Sequence, residues 1–397
     1  MSPRRITGLI GLAQLLAWGS SYYLLAILAA PMAATFALPK VAVYGMFSAA
    51  LVVAAIFGPV VGRWVDQHGG RRVLMISNGM FAAAQLLMAT AQHPAQLALG
   101  WLLMGAAMPM GLYDAAFATL VRLYRTEARP RIVGVTLIAG FASSVSWPLT
   151  ALVEHHTSWR IACVMWAALH LTVGLFIHAR LLQKDEGAAV TSPPLPEVAA
   201  DLAHAVAAIG PSRSTMWLLA TVFAISGFCF AALAAHLPRL LQVAGATPAM
   251  AVTAASLVGI SGVAARALEM GLFSRWHPLY SARISLIAHP LGALLLGLFG
   301  APMAVLFTVL HGAGVGLMTI VKGTLPLALF GANGFGQRAG WLEAPSRVMQ
   351  AIAPVAYGLW LEQLGTGVLW ITGLAMFASF LAMLWLRRSR ATVAASL

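Results

Sequence analysis

The sequence predicts an all-α membrane protein: twelve transmembrane helices in two six-helix lobes, with both termini in the cytoplasm. Three observations predict it. Of 397 residues, 60% are hydrophobic and 9% charged, where soluble domains carry about 25% charged residues. The hydrophobicity recurs from end to end in blocks of about twenty residues, each long enough to cross a hydrocarbon core as a helix. The basic residues gather at alternate ends of these blocks.

The blocks run over 6–30, 41–62, 73–91, 97–121, 132–153, 161–182, 216–236, 250–271, 284–300, 303–326, 340–361 and 368–386. The first is too long, and too poorly followed by a cleavage site, for a removed signal peptide, and reads as the first span. An even count puts both termini on one side. The segments on that side hold Arg4, Arg5, Arg63, Arg71, Arg72, Arg122, Arg125, Arg129, Arg131, Arg180, Lys184, Arg213, Arg275, Arg283, Arg338, Arg387, Arg388 and Arg390; the opposite segments hold Lys40, Arg160 and Arg239. That bias assigns the arginine-rich side to the cytoplasm. It also accounts for the net charge of +13, so no nucleic-acid partner is expected. Cys163 and Cys229 both fall within apolar blocks and support neither a disulfide framework nor a metal site. Arginine far outnumbers lysine and alanine is abundant, the mark of a GC-rich gene, which points to a bacterium and its inner membrane.

The longest connection splits six spans from six. It carries Lys184, Asp185, Glu186 and the run Pro193-Pro194-Leu195-Pro196. The chain therefore divides into an N-terminal lobe (1–182), a cytoplasmic linker (183–215) and a C-terminal lobe (216–397), the organisation a two-lobed transporter requires.

Between the second and third spans lies Gly62-Arg63-Trp64-Val65-Asp66-Gln67-His68-Gly69-Gly70-Arg71-Arg72. This resembles the signature loop of the major facilitator superfamily: a glycine, an aspartate four residues later, then a glycine followed by two basic residues. Gly62, Asp66, Gly69, Arg71 and Arg72 match, with the basic pair shifted by one; Gln67 and Gly70 depart from the pattern. Gly58-Pro59 upstream and Ser158-Trp159-Arg160 entering the sixth span also resemble the family, whereas Gly271–Pro278, where a related loop should recur, is degenerate. Gly140–Pro148 in the fifth span is rich in small residues but lacks the glycine-proline pattern of drug antiporters. The resemblance implies a secondary transporter with no cofactor, working as a monomer on a small molecule, with protons as the candidate coupling ion. Physically, Gly62 lets a helix end pack closely against the other lobe. Asp66 is expected to stabilise the start of the third span and to accept bonds from nearby arginines, forming a gating latch.

Ionisable side chains in hydrocarbon are costly and face a cavity or a partner. Arg266 and Glu269, three apart, share a face. They form either a local pair or, with Arg266 docking a carboxylate through its fork, a substrate site. An arginine in the eighth span resembles what monocarboxylate porters and oxalate–formate exchangers use. Glu343 and Arg347, four apart, are spaced as a helical pair with a structural or gating role. Lys322 and His311 share a face of the tenth span; they are candidates to line a solvated path and bind an anionic substrate, or Lys322 snorkels to the cytoplasmic surface. His170, His178 and His289 read as hydrogen-bonded packing residues. Asp114 is a proton carrier or a partner of Arg122, and Glu269 a second proton-coupling candidate. Gln14, Trp18 and Tyr22 recur every four residues and form one stripe, either a binding surface or a packed seam.

No Walker loop, HExxH or GxSxG occurs, so neither ATP drive nor hydrolase chemistry is expected, and the chain is not read as an enzyme. Glu154-His155-His156 lacks further ligands for a metal. Proton-coupled or exchange transport of a small organic anion leads. Efflux of drugs or toxic metabolites is the alternative, and a membrane sensor or embedded enzyme the rival from another class.

Overall fold

The computed structural model describes residues 3–181 and 213–386, and these are helical almost throughout. The proline-bearing linker stretch expected around 193–196 lies outside the described residues. The first half comprises α1 (Pro3–Ser20), α2 (Leu24–Thr35), α3 (Lys40–His68), α4 (Gly70–Ala89), α5 (Pro94–Gly111), α6 (Tyr113–Tyr124), α7 (Ala128–Ala139), α8 (Ala142–His156), α9 (Trp159–Leu169) and, after a π turn at His170–Gly174, α10 (Leu175–Leu181). The second half comprises α11 (Arg213–Val243), α12 (Pro248–Gly271), α13 (Pro278–Phe299), α14 (Ala304–Phe330), α15 (Phe335–Leu364) and α16 (Val368–Trp385).

Among the described residues, eleven helical stretches are long and apolar enough to cross a membrane. That differs from the expected twelve because Phe335–Trp385 counts as one 51-residue stretch. Within it, α15 and α16 are separate helices joined by a 3-10 turn at Gly365–Gly367.

Several spans are broken. Tyr23 N–H donates to Trp18 O across five residues at 3.1 Å, ending α1 and starting α2. Leu112 adopts φ −90° and ψ −164° three residues after Pro109, which separates α5 from α6. Gly140 and Phe141 separate α7 from α8. In a membrane, interrupted helices are tolerated where they are buried in protein or line a cavity, and Tyr22 and Tyr113, at two of these breaks, do line one.

The corner between α3 and α4 is a single residue. Gly69 has φ +86° and ψ 157°, a conformation open only to glycine, and its N–H bonds Val65 O at 2.9 Å.

Helix α3 runs antiparallel to α15 of the other half and forms the main seam between halves. Ser48 Oγ donates to Ala351 O at 3.0 Å. Further along, the backbones touch: a Cβ on Gly62 would lie 2.0 Å from Gly336 O, and one on Gly340 2.5 Å from Gly58 O. Buried apolar residues between 219 and 383 form one core, and those between 6 and 177 form two, which Leu327, Phe335 and Ala351 join across the seam. No hydrogen bond or ion pair among the described residues ties α2 or α8 to the second half, so these links gather at the cavity and at the arginine-rich face.

Within the first half, α5 sits on α3 with equally little space, since a Cβ on Gly105 would fall 2.2 Å from Ala50 O. Gly105→Val should therefore destabilise the protein by about 1–3 kcal/mol through overpacking, read as a lower melting temperature in detergent. An unchanged value would mean that the two backbones are not in contact.

Candidate functional site

A cavity of about 140 Å³ lies between the halves. One wall is aromatic: Trp18, Tyr22, Tyr113 and Phe117 from the first half, Phe230 from the second. Trp18 packs on Tyr113 at 4.9 Å and on Tyr22 at 5.3 Å between ring centroids. The polar side carries Asp114 opposite Lys322, Glu343, Arg347 and Gln350. Three of these come from one face of α15, since positions 343, 347 and 350 recur at helical spacing.

The charges pair between helices and not along one. Glu343 and Arg347 do not form the expected i,i+4 pair. Arg347 reaches across the seam to the Asp114 carboxylate and also donates to Ala54 O at 3.0 Å. Glu343 takes the Lys322 ammonium of α14. Both side chains of α15 line the cavity, and each meets its counter-charge on a facing helix. Asp114 is likewise not paired with Arg122, whose guanidinium bonds Asp66 O instead. Lys322 also donates to Ser346 Oγ at 3.1 Å, Gln350 Nε2 donates to the same oxygen at 3.0 Å, and Tyr22 Oη donates to Gln350 Oε1 at 2.8 Å. One hydrogen-bonded chain thus runs from the aromatic wall to the Lys322–Glu343 pair. Glu343 Oε2 is buried with no hydrogen-bond partner.

Arg266 and Glu269 also part company. Glu269 is buried and pairs with Arg129 of α7 at 2.8 Å, while Ser281 Oγ donates to its other oxygen at 2.6 Å. Arg266 lies beside Gly140 where α12 meets α7, has no carboxylate partner among the described residues, and reaches Thr319 Oγ1 at 3.4 Å. Thr319 lines the cavity; Arg266 stands behind it.

Two expected lining residues are buried elsewhere. Gln14 is fully buried and donates to Gly111 O at 2.8 Å, so the stripe enters the cavity only at Trp18 and Tyr22. His311 is buried against His289, with Nδ1 atoms 3.1 Å apart, and Phe230 stands against it. His170 bonds Ser20 Oγ at 2.7 Å and Asn78 Oδ1 at 2.9 Å, and His178 bonds Asn78 Nδ2 at 2.7 Å, as packing histidines do. Gln350, Ser346 and Tyr113 were not singled out in the sequence. The heptad-like spacing of Gln350 from Glu343 was the one available signal.

The signature loop meets the second half directly. Asp66 does not cap the third span. Its Oδ1 accepts from Gly336 N and its Oδ2 from Gln337 N, both at 2.8 Å. These are among the free N–H groups that open α15, where the helix dipole also favours a negative charge. Gly62 makes the approach possible. Arg71 donates to Ala179 O at 3.1 Å within its own half, and Arg72 is exposed.

Residues 10–325 match the sequence model of the Major Facilitator Superfamily. The chain belongs to that superfamily. It is accordingly a multi-pass membrane protein and a transporter by family. No curated protein sequence matches the chain. Among solved structures it is similar to the proton:xylose symporter XylE bound to a bromodeoxyglucose (TM-score 0.73, 15% identity, 96% of this chain and 94% of that one). It is similar also to the human organic anion transporter MFSD10 (TM-score 0.70, 16% identity, 96% and 100%) and to the E. coli fucose:proton symporter FucP (TM-score 0.72, 15% identity, 98% and 100%). At these identities the likeness is one of fold.

Asp66→Ala should release α15 from α3. Two charge-assisted bonds are lost, each worth roughly 1.5–3 kcal/mol before solvent screening, so the population with a parted seam should rise about tenfold or more. Ala118, buried against this contact, provides the readout. A cysteine at that position should react with a maleimide slowly in the parent and faster in the Asp66→Ala protein. Equal rates would remove Asp66 from the seam.

Proposed function

We propose that the chain is a secondary active transporter that carries a small organic anion together with a proton, by alternating access. Twelve helices cross the membrane, with α15 and α16 crossing separately. Both termini lie in the cytoplasm of a bacterial cell, the protein sits in the inner membrane as a monomer, and residues 183–215 link two rocking lobes. The arrangement described above is the one closed toward the cytoplasm.

The observation that carries this reading is the Lys322–Glu343 pair on the cavity wall, with Glu343 Oε2 buried and unpartnered. While Glu343 is ionised it holds the ammonium. A proton on the free oxygen neutralises the carboxyl and releases Lys322 to bind a carboxylate or similar anion. Each ligand then favours the other's binding, which is what coupling requires. Asp114 and Arg347 repeat the logic across the seam: protonating Asp114 would loosen an interlobe tie and expose a second cation. Arg266 adds positive potential from behind Thr319, and Glu269, occupied by Arg129 and Ser281, acts as a structural and gating residue. The likeness to an organic anion transporter and two proton symporters supports the class.

The aromatic wall supports a second reading, export of apolar or aromatic toxicants, in which the four charges serve only to gate.

The deciding assay is uptake of radiolabelled carboxylates into proteoliposomes under an imposed pH gradient. Lys322→Ala should abolish uptake and Arg266→Ala should weaken it. Glu343→Gln should still exchange substrate yet lose accumulation above equilibrium. Gradient-driven accumulation that survives Glu343→Gln would sink the proposed proton site. Transport of no carboxylate would favour export.

A further inference from the structure

The wall of the central cavity divides by chemistry, and the division constrains the cargo beyond its charge. On one side stand the rings of Trp18, Tyr22, Tyr113, Phe117 and Phe230. Tyr113 and Phe117 present nearly parallel planes, 14° apart with centroids at 4.9 Å, and Trp18 leans on Tyr113 at 47°. Phe230 adds a ring from the second half, set edge-on against His311 at 5.5 Å. The polar side is largely committed to itself. Gln350 is bonded at both ends of its amide, to Tyr22 and to Ser346, and Arg347 is held by Asp114 and Ala54. Among the described residues that line the cavity, the buried side-chain polar atoms without a partner are Trp18 Nε1 and Glu343 Oε2.

These observations exclude some cargoes and favour one. A sugar carries a hydroxyl on most of its carbons, and in this cavity most would enter without a partner, which is costly. A flexible aliphatic acid would fill the space and leave the ring faces and edges unused. A planar ring uses them, because aromatic pairs in tilted, offset or edge-on arrangement gain stability beyond the area they bury. Size agrees: the cavity measures about 140 Å³, and an apolar cavity of about 150 Å³ holds one benzene ring. One proton on Glu343 frees one cation, Lys322, which matches one anionic group. We propose that the cargo is a single-ring aromatic monocarboxylate, with its ring among Trp18, Tyr113, Phe117 and Phe230 and its carboxylate on Lys322. This names the substrate class of the proton–anion reading and rests on it. Phe230 belongs to one half and the other three rings to the other, so the cargo is gripped in full only when the halves meet around it.

The test is isothermal titration of the purified full chain with benzoate, cyclohexanecarboxylate, hexanoate and benzamide. The first two share charge and approximate shape and differ in the π system, while benzamide keeps the ring and lacks the charge. Benzoate should bind about three- to tenfold tighter than cyclohexanecarboxylate, the worth of one good ring contact. Hexanoate should bind more weakly again, since its chain must be ordered. Benzamide should bind about tenfold or more weaker than benzoate, having no charge for the ammonium. Trp18→Leu and Phe230→Leu should each narrow the advantage of benzoate over cyclohexanecarboxylate. They lie on opposite halves, and a melting temperature near the parent's identifies a folded variant. Lys322→Ala should weaken all the acids alike. Equal binding of the acids would overturn the aromatic class and leave the anion reading standing. Benzamide as tight as benzoate, or no binding of any acid, would overturn both. A benzoate advantage undiminished in both leucine variants would overturn the ring seat assigned here.

Discussion

The contact between the halves at the arginine-rich end depends on one electrostatic interaction, a carboxylate from the first half seated on the free N–H groups that open α15 of the second. Asp66 satisfies Gly336 and Gln337 together, so a helix end that would otherwise bury unpaired donors acquires partners only when the halves meet. The contact requires that α3 come within backbone distance of α15, which Gly62 and Gly336 allow, and that Asp66 project from a rigid corner. Gly69 supplies that corner by turning the chain in one residue.

The polar chemistry further in follows the same rule of partners drawn from another helix. Arg347 meets Asp114 across the seam and Lys322 meets Glu343 within the second half. The first tie belongs to the relation between halves, the second to the cavity wall. Because α15 carries Glu343, Arg347 and Gln350 on one face and Gly336, Gly340 and Ala351 along its contact with α3, motion of this helix acts on both sets together.

The fold was largely legible because a bilayer forces it. Twenty-residue apolar blocks and an arginine bias have few other physical solutions, and the signature loop sat where the family places it. Of the ionisable residues that stand out because hydrocarbon makes them expensive, Asp114, Lys322, Glu343 and Arg347 line the cavity, whereas Arg266 and Glu269 do not. Pairing was not legible. Helical spacing suggested Glu343 with Arg347 and Arg266 with Glu269, yet each found its counter-charge or neighbour on another helix. Asp66 meets groups 270 and 271 residues away, a separation no local pattern encodes. Gln14 and His311 show a second limit: a shared helical face does not say how deep a side chain sits. Gln14 ends on a neighbouring backbone carbonyl, and Phe230 stands against His311.

The glycines at 58, 62, 336 and 340 make the seam a flush joint, backbone against backbone. Most helix interfaces interdigitate, and separating them means extracting knobs from holes and repacking rotamers. Here there is little to extract. Along that stretch the joint is fastened by few side chains, so the polar pins at its end, Asp66 on Gly336 and Gln337, carry a large share of the hold. Beyond that stretch Leu327, Phe335 and Ala351 of the second half reach into the cores of the first, so the joint is flush only where the glycines run, and that is where a single charge weighs most on whether the two backbones stay together.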